Sequence, residues 1–138
     1  MDIKDALGFL FQRADATQTF WNLYLGVVTT ILGLLTAAKI DWFRREVCIA
    51  LTFVFVLFAY SNFDSLDAVR QQRASLVQAA VQARDFHEDI YRPVLDSVRP
   101  PGGAALKVFH FVFDLFVVAA VWLVPFLRRK RLLAATRR

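Results

Sequence analysis

The chain has a single cysteine, Cys48, a single methionine, two histidines and only two glutamates in 138 residues. One cysteine rules out an intramolecular disulfide, and zinc or iron–sulfur sites built on cysteines within one chain. Of the histidines, only His110 falls in apolar sequence, while His87 lies outside it, so a pair of axial haem ligands is missing. One histidine and one aspartate per subunit would complete a metal site only through symmetry. There is no internal repeat and no low-complexity tract. No catalytic residue, no metal site and no cofactor are therefore expected, and the chain does not read as an enzyme.

Apolar residues, by contrast, are abundant at 57%. Crossing a hydrocarbon core ~30 Å thick takes about 20 mostly apolar residues at 1.5 Å of rise each. Segments 20–38, 47–63 and 104–127 meet that length. Backbone groups in lipid must bond within their own segment, so helices are the default. The expected fold is an all-α integral membrane protein with three transmembrane helices. The remaining divisions are an N-terminal amphipathic interfacial helix at 1–19, a short basic loop at 39–46, an extramembrane helical loop and Pro/Gly linker at 64–103, and a basic tail at 128–138. The first apolar segment is not expected to be a cleaved signal, because Asp2, Asp5 and Asp15 outweigh Lys4 and Arg13 before it. Three spans also occur in small membrane kinases of the diacylglycerol kinase type. Those need a cluster of glutamates for metal and phosphate, whereas Glu46 and Glu88 are predicted on opposite membrane faces.

Charge placement predicts the orientation. Lys39, Arg44 and Arg45 in the first loop share a side with Arg128, Arg129, Lys130, Arg131, Arg137 and Arg138. The basic residues on the other side are spread out and matched by acids, from Asp2 to Asp96. The positive-inside rule then places the N-terminus outside and the C-terminus in the cytoplasm, in a plasma (inner) membrane. The tail residues Arg128, Arg129, Lys130 and Arg131 read as an anchor on anionic lipid, each cation worth about 1 kcal/mol. No aromatic residue interrupts the run, so nucleic acid is not an expected partner. Trp21, Tyr24, Trp42, Tyr60 and Trp122 mark the two interfaces as aromatic belts.

Outside the spans, Ile3, Ala6, Leu7, Leu10 and Ala14 have helical spacing, with Asp2 as N-cap, which predicts a helix lying on the outer surface. Leu66, Val69, Leu76, Ala80, Ala83 and Ile90 form a second stripe, interrupted by Arg73 and His87. A helix over 64–91 would rise ~42 Å. The return to Gly103 spans at most ~40 Å even when extended. The helix must therefore tilt, fold back or break near Ala83, with Pro93 ending or kinking it and Pro100-Pro101-Gly102-Gly103 as linker.

Two features could carry function. Along the first span Thr19, Asn22, Gly26, Thr29, Gly33 and Thr36 repeat at steps of 3 and 4, and every member is small or polar. Such a seam lets helices approach closely in lipid, or lines a pore with hydroxyls and carbonyls. Cys48, Thr52, Phe55, Ala59 and Asn62 offer a complement, bringing Asn62 to Asn22 and Thr52 near Gly33. The second feature is Asp114, about nine residues inside the third span, where an acid costs about 2.5–3.5 kcal/mol to insert. His110 is one turn before it and Lys107 one turn earlier still. The pair Asp114 and His110 reads as an ion or proton site, or as a structural bond from Asp114 to Thr29 or Thr30.

Three functions from different classes fit. One is a homo-oligomeric ion- or proton-permeable assembly, whose path must be shared between subunits because three helices cannot enclose one. Another is a non-conducting accessory or sensor protein that meets another membrane protein through its helical loop. The third is a membrane-disrupting effector: in layout alone the chain resembles three-span phage holins, whose loops are typically short, unlike the second loop here. No motif accompanies that likeness. The expected partners are the lipid bilayer and further copies of the chain.

Overall fold

A computed structural model describes residues 3–37, 43–83 and 86–136. The elements are α1 (Ile3–Ala37), α2 (Arg45–Val81), α3 (Glu88–Ser97) and α4 (Gly103–Thr136), with no strand among the described residues. α1, α2 and α4 are each long and apolar enough to cross a membrane, and a helical loop separates the second from the third. The protein is an all-α membrane protein of three spans.

All three spanning helices are longer than a bilayer core requires. The 37 residues of α2 rise ~56 Å, well beyond ~30 Å of hydrocarbon. α1 passes through the expected boundary at 19–20 without a break, because no glycine or proline lies there to interrupt it. α2 likewise continues from the second span into the loop, and α4 carries the helix through the basic run to Thr136. Asp2, Lys39, Trp42, Asp85, Arg137 and Arg138, which carried expectations about capping, belts and charge, lie outside the described residues.

The chain divides into two compact units. One comprises Met1–Asn22 and Asn62–Lys107, the other Leu23–Ser61 and Val108–Arg138. In the first unit Ile3, Ala6 and Leu10 are buried, as the helical spacing predicts. They do not lie on a lipid surface, however. Ala6 and Leu10 join Ala80 of α2 and Leu95 and Val98 of the α3 segment in one hydrophobic cluster, flanked by Leu7, Leu76, Val77 and Phe86. The apolar stripe of α1 thus finds protein rather than membrane to cover it.

The limit on stalk length is met by a break. α2 ends at Val81, and Ala83 N–H closes a turn on Ala80 O at 3.2 Å. α3 then brings the chain back. Pro93 sits within α3 rather than ending it, and His87 is the N-cap residue. Ile90 is 64% exposed and His87 is exposed, so the predicted stripe stops at Ala80 and does not reach them. Arg73 belongs to the stripe instead of interrupting it. It is buried, and its Nη2 donates to Val98 O at the C-terminal end of α3. That bond satisfies a carbonyl that a helix end leaves open. Burial pushes the Arg73 guanidinium below its ordinary value. Nearby on α2, Arg70 Nε and Gln71 Nε2 donate to the two Asp67 oxygens, both at 2.8 Å. The Arg70 bond, with help from Gln71 and the charge of Lys107, holds Asp67 below the usual carboxylate range.

Candidate functional site

The second unit contains the intramembrane polar residues. In α1 the buried positions are Tyr24, Val28, Ile31 and Leu35, spaced 4, 3 and 4. In α4 they are His110, Val117, Val121 and Pro125, and in α2 Cys48, Phe55 and Ala59. These are the faces the helices turn inward, and Asp114 lies on the α4 face, part-exposed.

Tyr24 Oη donates to Asp114 Oδ1 at 2.5 Å. His110 Nδ1 stands 3.3 Å from Asp114 Oδ2, one helical turn away. The Tyr24 and His110 rings meet at 4.6 Å with a 59° tilt. Phe58 stacks on Tyr24 with centroids 6.2 Å apart, while Phe55 and Phe113 close other sides at 6.4 and 6.0 Å. The phenol and imidazole are buried, yet the Asp114 side chain is 28% exposed. The carboxyl is therefore flanked by a phenol and an imidazole in an aromatic cage that leaves it one open edge. Such a set can pass a proton between imidazole and carboxyl, because both change charge by gaining or losing one.

The sequence reading brings His110 and Asp114 together as the structure does, but misses Tyr24. Thr29 and Thr30 do not hold the acid: Thr30 Oγ1 donates to Gly26 O at 2.8 Å, and Thr29 is exposed. Lys107 is exposed too, and the residues buried on the α4 face beside it are Leu106 and His110. Further along α4, Val117 and Val121 are fully buried.

The seam of α1 is placed where no internal packing uses it. Thr19, Asn22, Gly26, Thr29, Gly33 and Thr36 are all exposed. A Cβ added at Gly26 or Gly33 meets nothing within 4 Å. At 100° per residue the seam centres on the side of α1 away from Tyr24 and Leu35. Its expected pairing with the second span inside one chain is thus corrected. Thr52 accepts from Trp122 Nε1 at 3.1 Å, and the buried Asn62 amide has no hydrogen-bond partner among the described residues. The bulky stripe of α1 competes for the interior and wins, since it buries more apolar area.

The basic run divides into two parts. Arg128 Nη1 donates to Leu35 O at 2.7 Å, and Arg129 Nη2 to Phe43 O at 2.5 Å. Leu35 is in the last turn of α1, where carbonyls lack intrahelical donors and a cation suits the dipole. Lys130 and Arg131 are exposed. Comparisons with protein-family models, with curated proteins and with solved structures give no match to this chain. The class that the fold defines is that of a small three-span membrane protein.

Proposed function

We propose that the protein is a homo-oligomeric, proton- or ion-permeable membrane assembly, in which Asp114, His110 and Tyr24 form the site that takes up and releases the ion. The observation that carries this reading is the open edge of the Asp114 carboxyl at mid-span, with Tyr24 Oη and His110 Nδ1 on its two oxygens. A wholly structural acid would be expected to be sealed, because lipid offers an exposed carboxyl nothing in return for its lost hydration. An oligomer supplies a neighbouring surface or water at that edge.

Self-association through α1 is supported by the contrast among the outward faces. Those of α2 and α4 are bulky, with Phe53, Val54 and Leu57 on one and Phe111, Leu115 and Phe116 on the other exposed. Large apolar side chains suit lipid. Among the described residues α1 turns glycines and threonines outward beside Leu23 and Leu25, and the small residues permit close backbone approach between copies. The charge distribution favours the N-terminus outside and the C-terminus in the cytoplasm of an inner membrane.

The test is proton uptake into liposomes containing the purified full chain, driven by a potassium diffusion potential. Wild-type protein should admit protons, and Asp114→Asn should assemble equally well yet lose most of the flux. Flux equal in the two proteins removes Asp114 from the path.

A further inference from the structure

The first unit carries a groove of about 580 Å³ whose lining includes Arg70, Val77 and Val81 on α2, and Arg99, Pro101 and Gly102 on the return segment. Its cationic groups are poorly balanced. The Arg70 guanidinium lies flat over the start of α4, with its carbon only 3.1 Å from where a Gly103 Cβ would stand. A side chain at position 103 would displace it. A cation against a helix N-terminus is repelled by the macrodipole, so this arrangement is unfavourable by itself. Arg99 adds a second guanidinium to the groove, and Lys107 contributes its charge from one turn into α4. Among the described residues, the one ion pair made by these three cations is that of Arg70 with Asp67.

The sequence at the start of α4 offers no capping side chain. Leu106 N–H takes Gly102 O at 3.2 Å, whereas Gly103, Ala104 and Ala105 have no side-chain acceptor within or just before their own turn. Charge complementarity thus calls for an anion. Position selects its kind. Arg70 follows the end of the second span by about seven residues, a rise of ~10 Å, and α4 begins at the edge of the third span. The headgroup zone is roughly 5–8 Å deep on each side of the hydrocarbon, and an arginine can snorkel down into it.

We infer that this groove binds the phosphate headgroup of an anionic phospholipid, held between Arg70 and Arg99 over the start of α4. Native mass spectrometry of the full chain tests it, with phosphatidylglycerol or phosphatidylcholine titrated into mild detergent. All proteins carry Lys130→Gln, Arg131→Gln, Arg137→Gln and Arg138→Gln, which removes the tail cations other than Arg128 and Arg129, both bonded to backbone carbonyls. Phosphatidylglycerol should bind more tightly than phosphatidylcholine. Arg99→Gln, an exposed residue whose loss spares the fold, should weaken it about fivefold, the worth of one interfacial cation. Gly103→Ala should weaken it too, by shifting Arg70. Millimolar inorganic phosphate or a polyglutamate peptide should fail to displace the lipid. Equal binding of the two lipids, or unchanged affinity in Arg99→Gln, overturns the site. Displacement by phosphate or peptide assigns the groove to a soluble anion and overturns the lipid.

Discussion

Tyr24 Oη and Asp114 Oδ1 share a hydrogen bond of 2.5 Å across 90 residues of sequence, joining the first spanning helix to the third. The bond gives the acid a partner that lipid cannot, and it keeps the phenol satisfied inside an aromatic cage. Structure and proposed activity meet in this contact.

Tyr24→Phe separates the two roles. The ring stack with Phe58 survives, and only the hydroxyl is lost. We expect a stability loss of about 1–3 kcal/mol, the worth of a hydrogen bond to a group that can carry charge. Chemical unfolding in detergent micelles measures it. Proton flux should also change its pH dependence, since His110 alone then faces the acid. A stability loss with identical flux at every pH would make Tyr24 a structural partner only.

Gly26→Leu and Gly33→Leu should leave the monomer fold intact, because a Cβ at either site meets nothing within 4 Å. Their expected effect is on assembly. Crosslinking in membranes should show a discrete oligomer for the wild type and mostly monomer for both variants. Leu57→Ala, on the exposed face of α2, should assemble normally. Equal assembly of all four proteins would show that copies do not meet through α1.

The first unit should weaken in acid. Hydrogen bonds from Arg70 and Gln71 hold Asp67 below its ordinary range, so its folded value lies below its unfolded value of about 3.9. A depressed carboxyl contributes stability that is fully present above the unfolded value and is lost as pH falls through the folded one. Asp67→Asn should therefore lower stability at neutral pH and flatten its dependence below about pH 4. Hydrogen exchange of α2 amides beyond Asn62 reports it. An unchanged acid profile in the variant would remove Asp67 from the account.

Arg73→Met should loosen α3. The buried guanidinium donates to Val98 O, and its loss leaves that carbonyl open at a cost of about 1–3 kcal/mol. Part of this is offset because methionine is easier to bury than a charge. Limited proteolysis between α2 and α4 should speed up while the spans stay intact. Wild-type cleavage rates would mean that the hydrophobic cluster of Leu10, Ala80 and Leu95 holds α3 without help.

Much of this architecture was legible in the sequence for reasons that are plain physically. Long apolar runs are required by lipid and by little else, so the three spans stand out. Chain length leaves a tilt, a fold back or a break near Ala83 as the choices, and the structure takes the break, α2 ending at Val81. His110 and Asp114 are a turn apart on any helix. The outward direction of the α1 seam was not legible, because small residues look the same from either side of a helix. What decides is the competing stripe of Tyr24, Val28, Ile31 and Leu35. Tyr24 itself read as a belt residue, since a tyrosine near a span end usually faces headgroups. Only the position of α4 reveals that its hydroxyl reaches Asp114. The helix boundary expected at 19–20 came from a change in hydropathy, which backbone geometry does not heed. Arg128 and Arg129 read as lipid anchors because the carbonyls they reach, on Leu35 and Phe43, lie 86 or more residues away in sequence.

The central claim is that Asp114 exchanges protons from within the membrane. Infrared difference spectroscopy of the reconstituted protein across a pH step tests it most directly. The account predicts a protonated-carboxyl band that rises on acidification and is absent from Asp114→Asn in the same bilayer, with its midpoint displaced in His110→Ala. A spectrum in which Asp114→Asn and wild type change identically over the whole range would contradict it.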